Sequence, residues 1–225
     1  MPQPSLVSRT LCTLLLVAAG AQAQACGRLT LASMNWASAE LLAQVDRFIL
    51  QAGYGCQVEL VPGDTVPTLT SMVAKGQPDV APEAWINGVR EPIEKAVAAG
   101  RLHLAGTALK DGGVEGWWIP KFVADAHPGI RSIADALKRP DLFPAPENPK
   151  QGAVHNCPSG WQCQIVVANL FKAQGAAAKG FVLVDPGAAA ALDGTIARAH
   201  QRRQGWLGYY WSPTPLLGQY AMVKL

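Results

Sequence analysis

The sequence predicts an α/β protein built from two lobes, with a boundary near residue 118. Between residues 26 and 100, segments with strand periodicity alternate with helical segments across short connections. This order is typical of a parallel sheet with helices on both faces. A strand at residues 112–120 then leaves the first unit, and a Pro-rich stretch follows it. Further helices and strands after residue 150 indicate a second lobe.

Alternating strands and helices make up the first predicted lobe, residues 26–117. Ser38 and Asp64 are suitable N-caps for its first two helices. The first helix is amphipathic, with apolar residues that include Leu41, Val45 and Phe48. The predicted order is a strand at 27–36, a helix at 38–55, a strand at 56–61, a helix at 64–76, a strand at 78–85 and a helix at 89–100.

The second predicted lobe covers residues 118–211 and begins in loop-rich sequence. Its elements are a helix at 130–137, an irregular stretch at 138–150, a helix at 162–175, a strand at 180–185, a helix at 186–204 and a strand at 205–211. Pro186 suits the first turn of its helix. Residues 212–225 are interpreted as the start of a return to the first lobe.

The first 25 residues are typical of an export signal. An apolar run, "LCTLLLVAAG", precedes the small residues of "AQAQA", which predicts cleavage after Ala25 or, alternatively, after Ala23. The run is too short to span a bilayer. A lipid anchor on Cys26 is an alternative, although "AQAC" lacks the Leu expected upstream of a lipidated Cys. The protein is therefore expected in the periplasm.

Charge and motifs exclude several classes of function. The net charge is +3 and no block of Lys or Arg stands out beyond Arg202–Arg203, which argues against a nucleic-acid partner. The sequence contains no P-loop, GxSxG, HExxH or GxGxxG motif. It therefore predicts no cofactor, no metal site and no enzymatic activity.

Four cysteines remain after removal of the signal: Cys26, Cys56, Cys157 and Cys163. Four cysteines in an oxidising compartment allow three pairings, and local order favours 26–56 and 157–163. Five residues separate Cys157 from Cys163, whereas redox motifs use Cys-x-x-Cys, and a zinc site needs more ligands than the nearby His155. A Cys nucleophile paired with His155 or His127 is a further alternative.

Tryptophan is the most informative residue type. Trp36, Trp85 and Trp211 end predicted strands, and Trp161 precedes a predicted helix. Ligands of open α/β sheets bind outside the carboxyl ends of the strands, so these four rings are expected to line one pocket. Any single Trp could instead be a core residue, as is expected for Trp206. Trp117 and Trp118 face opposite sides of one strand, so one of them is expected to reach the cleft.

A group of indoles suits quaternary ammonium ions or sugars. Indole faces attract cations, and a quaternary ammonium group cannot donate hydrogen bonds, so it needs no carboxylate partner. The carboxylates near these tryptophans in the sequence are Glu40, Asp64 and Glu83. The backbone amides of Gln162 and Cys163 lie at a predicted helix N-terminus, which binds anions. Together these features indicate a small zwitterion such as a betaine.

Five motifs resemble one known family. The segments "MNWASAELL", "GYGCQVELVPGDTVPTLTSM", "PDVAPEAW", "CPSGWQC" and "GYYWSPTPLLG" are similar to substrate-binding proteins of ABC transporters for glycine betaine, proline betaine and choline. The resemblance implies a two-lobed periplasmic-binding-protein fold of type II. It also implies a cage of Trp85, Trp161 and Trp211, with weaker matches at Trp36 and Trp117. The amides of Gln162 and Cys163 would hold the ligand carboxylate, and Cys157 and Cys163 would form a disulfide.

The resemblance covers most of residues 26–225, but members of that family are longer. The first lobe is therefore expected to be incomplete. The implied function is a monomeric, non-enzymatic receptor that carries a quaternary ammonium compatible solute to the membrane permease of an ABC importer. The alternative is an exported carbohydrate receptor in which the same indoles stack on sugar rings.

Overall fold

The structure, a computed structural model, describes residues 26–225, and the predicted export signal lies outside these residues. Seven strands and eight α-helices occur in the described part. The strands are β1 (Arg28–Met34), β2 (Gln57–Gly63), β3 (Val114–Pro120), β4 (Gly152–His155), β5 (Phe181–Val184), β6 (Gly208–Ser212) and β7 (Met222–Lys224). The helices are α1 (Ala37–Tyr54), α2 (Thr65–Lys75), α3 (Arg90–Ala98), α4 (Lys121–Ala126), α5 (Ile133–Ala136), α6 (Gln162–Ala173), α7 (Ala189–Gln201) and α8 (Pro215–Gln219).

The strands form two separate sheets, which gives a two-lobed α/β architecture. The smaller sheet pairs β1 with β2 in parallel. The larger sheet has the order β5-β4-β6-β3-β7, in which β4 is parallel to β5 and β6, and β3 is antiparallel to β6 and β7. The mixed α/β fold with a parallel first unit therefore agrees with the sequence prediction.

The third strand predicted for the first lobe is reduced to one bridge. Val80 pairs with Leu31 in parallel, its carbonyl accepts from the Ala32 N–H at 2.8 Å, and residues 81–85 leave the sheet. Pro78 and Pro82 flank this bridge, and proline cannot donate to a ladder, so the strand cannot extend. Trp85 therefore lies in a loop after the bridge rather than at the end of a strand.

The N-terminal cap of α1 also differs from the prediction. Trp36 occupies the N-cap position, and the Ser38 hydroxyl donates instead to Glu83 Oε1 at 3.1 Å. The helix packs inward through Ala39 and Ala43, while Leu41 and Phe48 remain 63% and 70% exposed. A two-stranded sheet is too narrow to cover the whole apolar face of an 18-residue helix.

The larger sheet carries most of the hydrophobic core. Trp117, Phe143 and Phe181 are almost fully buried against it, and α7 adds Leu192 and Ile196 from one helix face. The predicted boundary at residues 117/118 falls inside β3, which pairs with β6 and β7. Residues 222–224 extend the same sheet beside β3. The lobe boundary at residues 117/118 and the return of residues 212–225 to the first lobe therefore stay predictions. Among residues 26–225, no helix combines the length and apolar character that crossing a membrane requires.

Candidate functional site

A cavity of about 350 Å³ is lined by residues between positions 36 and 88 of the first lobe and by residues from β3, α6 and β6. All seven residues predicted from the sequence to bind ligand contribute to its lining, and Thr65, Asn87, Gly88, Glu115 and Tyr209 line it as well. The predicted set comprises Trp36, Trp85, Trp117, Trp161, Trp211, Gln162 and Cys163. The fold thus brings together residues that are far apart in the sequence.

Trp161 is the central ring of the aromatic wall. Its centroid lies 5.2 Å from that of Trp36 and 5.2 Å from that of Trp211, with interplanar angles of 76° and 79°. Edge-to-face contacts of this kind are a favoured arrangement of aromatic pairs. The Trp161 Nε1–H donates to Asn35 Oδ1 at 2.6 Å, which fixes the rotation of the ring. Three indoles therefore form one rigid corner of the cavity.

A buried carboxylate, that of Glu83, orients the indoles of Trp36 and Trp85. Glu83, which is 3% exposed, accepts on Oε1 from Trp36 Nε1 at 2.7 Å and from Trp85 Nε1 at 2.9 Å. The Trp85 ring lies against the backbone of Gly113, where a Cβ would overlap it. The sequence places Glu83 near the tryptophans, and the structure makes it their shared hydrogen-bond acceptor.

Strands β3 and β6 supply the floor of the cavity. Trp117 pairs with Tyr209 and Glu115 pairs with Trp211, so these four side chains share one face of the sheet. Trp118 faces the other side and donates from Nε1 to the Tyr210 carbonyl at 2.9 Å, as the alternation predicts. The sequence prediction missed Tyr209 and Glu115, although each is two residues from a predicted Trp on the same strand. The two-residue period of a strand is the signal that finds them.

The loop between Cys157 and Cys163 contacts helix α2 and Gly88 of the first lobe. Cys157 and Cys163 form a disulfide with Cα atoms 5.7 Å apart, and Gly160, with φ +86°, makes the turn between them. The Gly160 carbonyl accepts from the Val66 N–H at 3.2 Å, and the Gln162 side chain lies against Gly88. The loop therefore contacts both lobes beside the cavity.

Helix α6 begins next to this loop, with Trp161 as its N-cap. The first amides of an α-helix have no acceptor within the helix, and the helix dipole is positive at this end. The N–H groups of Gln162 and Cys163 are in this first turn, and both residues line the cavity. The cavity thus combines aromatic faces with the positive end of a helix, an arrangement that can hold a cation and an anion a short distance apart.

Asp64 occupies the N-cap position of α2, but its side chain does not cap the helix as predicted. Thr68 Oγ1 accepts from the Asp64 N–H, and the carboxylate lies beside Asn35 and Trp161. Burial raises the pKa of Asp64, and the neighbouring polar groups of Asn35 and Trp161 offset part of this shift. The carboxylate belongs to the contact between the lobes and does not line the cavity.

The remaining candidates lie outside the cavity. Trp206 is buried, donates from Nε1 to Thr195 Oγ1 at 2.9 Å and stacks on His155 at 5.2 Å. The second disulfide joins Cys26 and Cys56, so the cysteines of residues 26–225 are all paired and offer no thiol nucleophile. Across the same residues, no cluster of three or more His, Cys, Asp or Glu side chains could hold a metal ion.

His155 gives a pH dependence of stability. Burial, with a smaller effect of Arg198, lowers the pKa of His155 from 6.5 to about 4. As the pH falls below 6.5 the unfolded chain takes up a proton that the folded protein excludes, so this contribution is full above pH 6.5 and is lost as the pH falls towards 4. We expect a loss of about 3 kcal/mol across this window.

Urea denaturation at pH 7.5 and pH 4.5 measures this effect. The difference in unfolding free energy between the two pH values should shrink in His155→Gln and stay unchanged in a control, His103→Gln, because His103 is exposed. An equal pH dependence in wild type and His155→Gln would contradict the assignment.

The fold and the cavity define the class of protein: a two-lobed α/β binding protein of the periplasmic-binding-protein type. Residues 27–225 match the family described as the substrate-binding domain of ABC-type glycine betaine transport systems. Because the match covers nearly the whole chain, the protein belongs to this family. No curated protein matches the chain significantly.

Solved structures support the same fold. The chain resembles a glycine betaine/L-proline-binding protein (ProX) from Borrelia burgdorferi, with 16% identity, a TM-score of 0.66 and coverage of 88% of this chain and 68% of that one. Lactococcal OpuAC, solved closed with glycine betaine, gives 19% identity, a TM-score of 0.65 and coverages of 88% and 70%. A choline-binding protein of an ABC transporter, solved with choline, gives 17% identity, a TM-score of 0.61 and coverage of 88% of this chain and 64% of that one. The chain thus spans about two thirds of their length, which fits an incomplete first lobe.

Proposed function

We propose that this protein is an extracytoplasmic receptor that binds a quaternary ammonium compatible solute and delivers it to the permease of an ABC importer. One observation carries the proposal: four indoles, those of Trp36, Trp85, Trp161 and Trp211, surround a single cavity. Each desolvated indole face contributes about 2 kcal/mol to binding a cation. Membership of the glycine betaine family supports the same ligand class.

In this proposal the ammonium group of the ligand contacts the indole faces. Its carboxylate or hydroxyl oxygen accepts from the amides of Gln162 and Cys163 at the start of α6. The receptor acts as a monomer in the periplasm, without a cofactor and without chemistry on its ligand. The predicted export signal at residues 1–25 supports this location.

Isothermal titration calorimetry on the oxidised protein tests the proposal. We expect saturable binding of glycine betaine, proline betaine or choline, and none of glucose or maltose. Circular dichroism on the same sample confirms that the protein is folded. A folded protein that binds none of the ammonium compounds would refute the proposal, and saturable binding of a sugar would favour the carbohydrate alternative.

A further inference from the structure

The floor of the cavity contains a carboxylate. Glu115 on β3 is half-buried and lines the cavity, and it pairs directly with Trp211 across the β3–β6 ladder. Its Oε1 accepts from the Tyr209 hydroxyl at 2.6 Å, diagonally across the same two strands. Direct partners on antiparallel strands have Cβ atoms about 5 Å apart, so the side chains of Glu115 and Trp211 leave the sheet as neighbours on the face that lines the cavity.

Glu115 differs from the other acid at this site. Glu83 sits behind the indoles, outside the lining, and its Oε1 accepts from three donors. Glu115 accepts from Tyr209 alone among the side chains of the described residues and faces the cavity directly. Burial, and then the proximity of Glu115, raises the pKa of Tyr209 well above its ordinary value, so this hydroxyl stays protonated and donates.

The charges around the cavity are unbalanced. Among the side chains of residues 26–225 that line the cavity, that of Glu115 is the one acid, and no Lys or Arg side chain is present. A fixed negative charge in a partly desolvated cavity attracts a cation and repels an anion, and each effect weakens with distance. A ligand with net positive charge gains the whole attraction, whereas a zwitterion loses part of it through its own carboxylate.

We propose that Glu115 is a specificity-determining residue that favours cationic amino alcohols of the choline type over zwitterionic betaines. This inference rests on the proposed function, because it concerns which quaternary ammonium compound the same cavity prefers. The amides at the start of α6 accommodate either ligand, since a hydroxyl oxygen and a carboxylate oxygen both accept hydrogen bonds. The positive end of α6 favours a carboxylate, and the negative charge of Glu115 on the floor of the cavity opposes this preference and shifts it towards a ligand without a carboxylate.

Calorimetric titration of wild type and Glu115→Gln with three ligands tests the inference. The ligands are choline, glycine betaine and 3,3-dimethylbutan-1-ol, a neutral analogue in which carbon replaces the ammonium nitrogen. Glutamine keeps the shape of the side chain and an acceptor for Tyr209. We expect choline affinity to fall about tenfold or more, glycine betaine affinity to fall less, and the affinity of the neutral analogue to stay unchanged.

Two further variants separate charge from structure. Glu115→Asp keeps the charge and should retain the preference for choline. Glu94→Gln removes the same formal charge from an exposed position on α3 and should leave all affinities unchanged. Equal losses for all three ligands in Glu115→Gln, or an unchanged choline-to-betaine ratio, would overturn the inference while leaving the proposed function intact. If the folded wild type binds no quaternary ammonium compound, the proposed function fails and the inference fails with it.

Discussion

Replacing Trp161 by leucine is expected to weaken binding of a quaternary ammonium ligand by roughly 30-fold or more. Loss of one desolvated indole face removes about 2 kcal/mol, which corresponds to this factor. The ring also makes edge-to-face contacts with Trp36 and Trp211 and donates to Asn35. Its removal therefore loosens the remaining rings as well as deleting one face of the cage.

A matched control separates this effect from a general loss of stability. Trp206 is as deeply buried as Trp161, at 2% against 5% exposed, but it lies outside the cavity. Trp206→Leu should reduce the free energy of unfolding while the folded fraction keeps wild-type affinity. Calorimetry together with urea denaturation distinguishes the two variants. Similar affinities in Trp161→Leu and wild type would argue against a ligand-binding role for this ring.

The disulfide that contributes more to stability is expected to contribute less to ligand binding. The Cys157–Cys163 bridge joins positions 6 apart in the sequence, and the Cys26–Cys56 bridge joins positions 30 apart. In the chain-entropy description, the shorter loop contributes about 2 kcal/mol to stability and the longer one about 3–4 kcal/mol. The Cys26→Ser/Cys56→Ser variant should therefore lose more stability.

Ligand affinity should follow the reverse order. The Cys157–Cys163 bridge holds the turn that carries Trp161 and the first amides of α6, whereas Cys26 and Cys56 do not line the cavity. Cys157→Ser/Cys163→Ser should weaken binding at least about tenfold, since these groups lose their fixed position. Cys26→Ser/Cys56→Ser should bind normally. Equal affinities in the two double variants, measured by calorimetry well below their unfolding temperatures, would contradict this division.

The sequence was sufficient to predict the parts of the fold that depend on local patterns. The amphipathic period places α1, and Gly55 and Gly76 end α1 and α2 in the left-handed conformation. Strand β4 was missed, because four fully buried residues show neither alternation nor a long apolar run. The third strand was predicted too long, since its length depends on prolines whose effect appears only when strand partners are known.

For the candidate site too, local patterns predicted some residues, whereas the roles of others depend on distant segments of the chain. Strand ends and the Cys-x-x-Gly-Trp-x-Cys turn identified the tryptophans that the fold assembles into one cavity. The polar partners were harder to assign. Asp64 was predicted to cap a helix, but its carboxylate lies against Gly160 in the loop between Cys157 and Cys163. Glu115 comes close to Tyr209 only through the register of β3 and β6. Side-chain roles that require two distant segments cannot be obtained from the periodicity of one.

Glu83 makes the two tryptophans of the first lobe interdependent. Both indole N–H groups end on the same oxygen atom, so a shift of either ring changes the hydrogen bond available to the other. Substitution energies at Trp36 and Trp85 are therefore not additive, and a double-mutant cycle between them should yield a sizeable coupling term. We therefore expect paired changes at Trp36 and Trp85 to be tolerated more readily than single ones, which would limit the routes by which the cavity adapts to a new ligand.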